Sequence, residues 1–207
     1  CPAYHRQNAI VEIVVVIQAT RTITAAFENE ANSMRPVANT EEAKALQTQG
    51  WLVGADRNVR KCDFSDFGNS PFDYIPGKVS GKDTIFTTTN GTKALNRAKE
   101  AYCIITGAFV NLQAVADFCR NKQRDVIVLC SGWEDKINLE DTLFGGALAE
   151  VLLDNGYKPA GDAVTIALSL WNDAKNDLQR YLEQSEHIGR LKANGLEDNI
   201  AYCLTSN

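Results

Sequence analysis

No apolar run in this 207-residue chain approaches the roughly 20 residues that a membrane-spanning helix requires. The segment Ile13 to Ile17 is too short, and no secretory-signal pattern precedes it. A basic excess is missing too. Lys and Arg number 21 against 26 Asp and Glu, a net charge of -5, which argues against a general nucleic-acid binder. That balance still allows a local basic pocket for an anionic substrate. Histidine is scarce: His5 and His187 are too few for a histidine-rich metal centre. The six cysteines (Cys1, Cys62, Cys103, Cys119, Cys130 and Cys203) form no C-x-x-C pair, which argues against a thiolate zinc site. Their density is far below that of a disulfide scaffold. Cys103 and Cys130 fall in apolar strands and read as small buried residues. These absences predict a cytoplasmic protein with no membrane or nucleic-acid partner. No internal repeat, low-complexity tract or clear linker appears, so a single domain is expected over 1–207. The chain opens at Cys1 without methionine, so residues upstream are expected to be missing.

What is present is alternation. Hydrophobic content of 44% and charged content of 23% suit a globular core. Strand-like segments are predicted at Val11 to Ile17, Arg35 to Val37, Trp51 to Gly54, Thr84 to Thr87, Tyr102 to Thr106 and Asp125 to Cys130. Helical periods fall between and after them, at Thr20 to Asn32, Thr40 to Gly50, Lys93 to Lys99, Asn111 to Asn121, Glu140 to Asn155, Asp162 to Glu183 and His187 to Asn194. Such alternation predicts a layered α/β/α domain with a largely parallel or mixed central sheet. The stretch Val59 to Gly77 shows little periodicity and reads as a long loop, a common place for function. Gly145-Gly146 inside a predicted helix costs roughly 1 kcal/mol per glycine, which points to close packing of that helix on the sheet.

The most informative local feature is Thr87-Thr88-Thr89-Asn90-Gly91-Thr92. It follows a β-branched strand and precedes a helix, so a polar turn sits at the carboxyl end of a strand, where ligands bind in open α/β sheets. Backbone N–H groups at the following helix start favour anions. Read structurally, it is an Asn-Gly turn with a Thr N-cap.

The same run resembles the TTNGT(R/K)A signature of the 2-phosphosulfolactate phosphatase (ComB) family. Other blocks agree in order. Gly54-Ala55-Asp56-Arg57 is similar to the family's G-G-E-R, and Asp66-Phe67-Gly68-Asn69-Ser70-Pro71 to its D-x-G-N-S-P. Cys130-Ser131-Gly132-Trp133 and Leu139-Glu140-Asp141-Thr142-Leu143-Phe144-Gly145-Gly146 resemble its C-A-G-W and L-E-D-T-x-x-A-G. Asp162-Ala163 and Gly195-Leu196-Glu197-Asp198 with Tyr202-Cys203 resemble its closing blocks. One block departs. Where the family reads D-V-(L/F)-R-A-(T/S)-(T/S)-T, the ungapped match places Val15 at the aspartate and Gln18 at the arginine. A match shifted by three residues puts Arg21 at the arginine and Gln18 at the aspartate.

The resemblance implies a Mg2+-dependent phosphatase that hydrolyses 2-phospho-3-sulfolactate to 3-sulfolactate and phosphate, as in coenzyme M biosynthesis, and it implies association into homodimers. The substrate would be a small phosphorylated sulfonate or carboxylate. Magnesium prefers oxygen ligands, and Asp56, Asp66, Glu140 and Asp141 are carboxylates near strand ends. The resemblance favours Asp141, and Asp56 stands for the family's glutamate. These two are the expected metal ligands, with Asp56, Asp141 and Arg57 as catalytic residues. Glu140 reads instead as a helix-start carboxylate that stabilises the dipole. Substrate binding is expected from Arg21, Asn69, Ser70, Thr88, Thr89, Asn90, Gly91, Thr92 and Gly132. Asn69 and Ser70 could equally fix their loop, Gly132 could merely end a strand, and Trp133 reads as core. Three alternatives stand beside this reading: a phosphatase for another small phosphorylated acid, an anion-binding relative without turnover, and a redox protein using its cysteines.

Overall fold

The computed structural model describes residues 8–14, 19–57, 60–88, 90–134 and 136–204. Among these residues seven strands divide between two sheets. β1 (Ile10–Val14) lies between β6 (Cys103–Gly107) and β7 (Val126–Cys130), all parallel. The second sheet has the order β2 (Ser33–Pro36), β5 (Asp83–Thr87), β3 (Leu52–Arg57) and β4 (Arg60–Lys61), with β4 alone antiparallel. The expected α/β class with largely parallel strands holds, while its strands fall in two sheets.

The helices are α1 (Ala19–Glu28), α2 (Thr40–Gln47), α3 (Pro76–Val79), α4 (Gly91–Ala98), α5 (Leu112–Lys122), α6 (Leu139–Asp154), α7 (Asp162–Ala174), α8 (Leu178–Leu182), α9 (Glu186–Ala193) and α10 (Glu197–Leu204). The single helix expected over Asp162 to Glu183 is two, because the Asp177 side chain accepts from the Arg180 N–H and starts α8 anew. α10 was not expected. It buries Ile200 and Cys203 in the large core beside α9.

Period-two alternation puts both faces of each sheet under helices. In the first sheet Ile104, Ile127 and Leu129 meet Ala94 and Ala98 of α4. Their neighbours Ile105, Val126 and Val128 meet α5 and α6. In the second sheet Val53, Ala55 and Ile85 meet Ala43 of α2. Phe86 turns the other way, towards Tyr74 and Ala26 of α1.

Two helices are exchanged between the sheets, and this exchange builds the site. α1 follows β1 of the first sheet yet packs on the second. α4 follows β5 of the second sheet yet packs on the first. Each exchange begins at the carboxyl end of a strand. The chain from Val14 to Ala19 can span at most about 18 Å, so the carboxyl ends of the two sheets are held near each other.

The stretch expected as one long loop, 59–77, carries β4, a 3-10 turn (Pro71–Asp73) and the start of α3. Its anchor is Tyr74, fully buried between Phe67 and Phe86. The Tyr74 hydroxyl donates to the Gly68 carbonyl at 3.1 Å, and the Gly68 N–H donates to Asp73 Oδ2 at 2.7 Å. The glycine pair in α6 also has a structural reason. Gly145 faces Val128 of β7, but a Cβ at Gly146 would run into the Ala167 carbonyl of α7. The close approach is therefore helix on helix at Gly146 and helix on sheet at Gly145. Trp171 Nε1 and Lys175 Nζ both donate to the Glu150 carboxylate and fasten the same pair of helices.

Candidate active site at the strand ends

Asp56 is the penultimate residue of β3. Alternation turns it to the α1 face, where it is buried at 8% exposure. Burial pushes its carboxyl up to about 6; the Arg57 charge and a hydrogen bond with the Asn69 side chain pull the other way. Asn69 is in turn tied to α1, since Thr22 Oγ1 donates to its backbone carbonyl at 2.9 Å. Asn69 Oδ1 is buried with no hydrogen-bond partner. Asn69 thus both shapes its loop and touches the Asp56 carboxyl. Ser70 is half-buried at the start of the 3-10 turn.

Arg57 points to the opposite face of β3. Its Nη1 donates to the Asp56 carbonyl at 2.6 Å and to the Thr87 carbonyl at 3.3 Å, and its Nη2 donates to Thr87 Oγ1 at 3.1 Å. The guanidinium therefore bridges the ends of β3 and β5, beside the threonine turn. Thr88 is buried. The Thr92 hydroxyl donates back to the Thr88 carbonyl at 2.9 Å and accepts from its N–H at 3.4 Å. The Thr N-cap reading needs correction: Asn90 occupies the cap without a side-chain cap bond, and Gly91 starts α4. Thr92 is instead the hydroxyl that closes the turn. Thr89, Val15 and Gln18 lie outside the described residues.

Arg21 is buried near the start of α1. Its guanidinium lies 4.1 Å from the Tyr202 ring of α10, with Nη1 3.6 Å from Glu28 Oε1. Its Nε and Nη1 have no hydrogen-bond partner. Tyr202 also packs against Phe72, 5.1 Å between centroids. The closing sequence block thus reaches the first helix through a cation–π contact, which linear sequence could not indicate.

Asp141 stands at the carboxyl end of the other sheet. It begins α6 at 1% exposure, and its Oδ2 accepts from Ser131 Oγ at 3.1 Å and from the Gly132 N–H at 3.0 Å. Gly132 has φ +66°, and a Cβ there would strike the Lys136 carbonyl. Its glycine is required by the close approach of backbone, and its N–H orients Asp141. The structure thus forms two groups. Asp56, Arg57, Asn69, Thr88 and Thr92 share the edge of the second sheet; Gly132 and Asp141 share the edge of the first.

Three sequence readings change. Asp66 is exposed, and its Oδ2 accepts from the Val53 N–H at 2.8 Å, near the start of β3 and away from the carboxyl edge. Glu140 stands in the first turn of α6 as expected, but it is wholly buried there. Ser185 Oγ donates to its Oε2 at 2.9 Å, while Oε1 has no partner. Burial raises its pKa, against hydrogen bonds from its own backbone, Ser185 and Asn138. Cys130 is exposed and Cys103 half-buried, because each lies at an end of its strand. Among the described cysteines, Cys119 and Cys203 are buried. Burial also pushes the Cys62 thiol up, the opposite of an activated thiolate.

His187, on α9, is buried between Trp133 and Arg190. Burial, then the Arg190 charge, lowers its pKa to about 4. Arg190 Nη2 can only donate, so His187 Nδ1 accepts and the ring proton sits on Nε2. Trp133 is half-buried with the Arg190 guanidinium 4.3 Å from its ring, so it joins this cluster rather than the main core. A histidine buried neutral binds fewer protons in the native state than in the unfolded state between pH 6.5 and 4. Stability is therefore lost as pH falls through that window, by up to about 3 kcal/mol. Urea unfolding at pH 7 and at pH 4.5 should show a loss about 2 kcal/mol smaller in His187→Gln than in the parent.

Among the described residues no three Asp, Glu, His or Cys side chains gather to hold a metal, so a metal here would draw few ligands from the protein, as magnesium does. That ion takes one or two carboxylates and completes its shell with water and phosphate oxygen. Asp56 is a buried carboxyl whose ionised form the protein alone under-stabilises, a deficit that a cation offsets. Asp141 is held in one orientation by two donors on a single oxygen.

The family model described as 2-phosphosulpholactate phosphatase matches residues 2–207. A protein of Caldanaerobacter subterraneus subsp. tengcongensis named "Probable 2-phosphosulfolactate phosphatase" is 34% identical, over 94% of this chain and 83% of its own length. Proteins of the same name from Thermotoga petrophila and Synechococcus sp. (strain WH7803) are 34% and 37% identical. These matches cover 94% and 92% of this chain, and 84% and 80% of theirs.

Proposed function

Since the chain belongs to the 2-phosphosulpholactate phosphatase family, we propose that it hydrolyses the phosphate monoester of 2-phospho-3-sulfolactate, releasing 3-sulfolactate and phosphate. The observation that carries this reading is the carboxyl of Asp56, poised at about 6 on the strand edge that also holds Arg57 and the Thr88 to Thr92 turn.

Each of these groups has a task in the reaction. N–H groups at the start of α4 face the phosphoryl oxygens, as helix N-termini favour anions. Arg57, fixed by Thr87, adds positive charge where the transferring group spreads its own. Asp56 is largely ionised at pH 7 and takes a proton from the attacking water. The new O–P bond forms as the ester O–P bond breaks; solvent water protonates the leaving alkoxide, and Asp56 returns its proton to solvent. Asp56 and Asp141 would hold Mg2+, which when bound neutralises phosphoryl charge and lowers the pKa of a coordinated water. Asp141 arrives pre-oriented by Ser131 and Gly132, so little reorganisation accompanies binding.

The test is phosphate release from 2-phosphosulfolactate with magnesium and with chelator, beside calorimetric titration of Mg2+ into the parent and Asp141→Asn. The expected result is release that chelator abolishes, and a Mg2+ affinity that Asp141→Asn weakens at least about tenfold. Release unaffected by chelator, with identical Mg2+ titrations, would contradict the metal assignment.

A further inference from the structure

On the face of β3 opposite Asp56 lies a pocket of about 440 Å³ whose lining includes Lys44, Arg57, Arg60 and Lys61. Val53 and Ala55 set the direction, since both pack on α2. Period two then carries Arg57 to the same side and Asp56 to the other. Lys44 comes from α2, while Arg60 and Lys61 come from β4, folded back along β3. Asp63 is the one carboxylate in the lining.

The four cations have partners, but not charged ones. Lys44 Nζ lies 5.0 Å from the Phe64 ring, and Lys61 Nζ donates to the Asp66 carbonyl at 2.9 Å. Arg60 Nε donates to Asn194 Oδ1 at 3.4 Å, and Arg57 bonds the carbonyls of Asp56 and Thr87. None is ion-paired with a carboxylate among the described residues. Four like charges gathered on one cleft, in a chain of net charge -5, raise the local concentration of anions.

Resting on the phosphatase reading, we propose that this pocket is a second oxyanion subsite, which receives the sulfonate of the substrate while its phosphate lies at the Thr88 to Thr92 turn. Arg57 joins the two, since it lines the pocket and bonds Thr87, the residue before the turn. The non-reacting end of the substrate is thereby recognised by charge on the α2 face, away from the carboxylate on the α1 face. Binding there supplies orientation to the reacting end. Lys44, Arg60 and Lys61 lie outside every sequence block that carries the family resemblance.

Cys62, half-buried in the same lining, is a native reporter. An oxyanion bound beside it blocks access and disfavours its thiolate. Iodoacetamide labelling mapped by mass spectrometry should show Cys62 protected several-fold by inorganic sulfate and by 3-sulfolactate. The Lys44→Ala/Arg60→Ala double variant changes two exposed side chains and should lose that protection. In the same variant the KM for 2-phosphosulfolactate, relative to that for 2-phospholactate, should rise about tenfold. Equal penalties on the two esters, or Cys62 labelling indifferent to sulfate, would overturn the proposal. If neither ester releases phosphate while sulfate still protects Cys62, the phosphatase reading fails, and the sulfonate assignment with it.

Discussion

Replacing Asp56 with asparagine should make the protein more stable and nearly inactive. The native carboxyl titrates near 6 instead of its ordinary 3.8. Between those values the native state binds more protons than the unfolded state, so stability falls as pH rises through the window and stays reduced above it. The substituted amide has no charge to bury. Asp56→Asn should therefore gain up to about 3 kcal/mol above pH 6 and nothing below pH 4. Phosphate release should fall by about 10²–10⁴-fold, the usual worth of a general base. Urea melts at pH 4 and pH 8, with initial rates at pH 7.5, check both halves. A variant that loses stability at pH 8 would show that burial of this charge is already offset within the protein.

The second large effect is expected at Gly132. Alanine there must adopt a left-handed conformation, at a cost of about 1–2 kcal/mol, and its Cβ meets the Lys136 carbonyl. Relieving that clash displaces the N–H that holds Asp141 Oδ2. Gly132→Ala should lose about 3 kcal/mol or more in unfolding free energy, and at least about tenfold in kcat. Ser131→Ala removes the hydroxyl that donates to the same oxygen, without moving the backbone, and should cost only about 1 kcal/mol. If Gly132→Ala kept full activity, the orientation of Asp141 would not matter to turnover.

Much of the fold could be read from period and punctuation. Val126 to Cys130 and the helix after Asn138 announced themselves by apolar spacing, and both stand where expected within a residue or two. The division into two sheets was not readable. Alternation tells which side of a strand is buried, not which helix covers it, and the covering helices α1 and α4 are exchanged. The stretch around Tyr74 escaped for another reason. Its order comes from a buried ring and side-chain bonds to backbone, none of them periodic. α10 is short, and only its docking beside α9 gives it a core.

The site divides in the same way. Strand-end position and motif order pointed to Asp56, Arg57, the threonine turn and Asp141. Their electrostatics required the structure: the raised pKa of Asp56 depends on burial against α1 and Asn69, which lies 13 positions along the chain. The Ser185 to Glu140 bond joins residues 45 positions apart, and neither residue carries a pattern that predicts the other. No sequence motif singled out Lys44 or Arg60; the fold-back of β4 along β3 brings Arg60 to the pocket that Lys44 of α2 also lines.

The initial rate of phosphate release from 2-phosphosulfolactate between pH 4.5 and pH 8.5, with magnesium present, tests Asp56 as the base at the strand edge. If Asp56 is the base, the rate rises with pH as Asp56 ionises, with half its plateau at or below 6, since bound Mg2+ favours the carboxylate. Folded protein that releases no phosphate at any pH, or a rate that falls as pH rises through this window, would contradict that role.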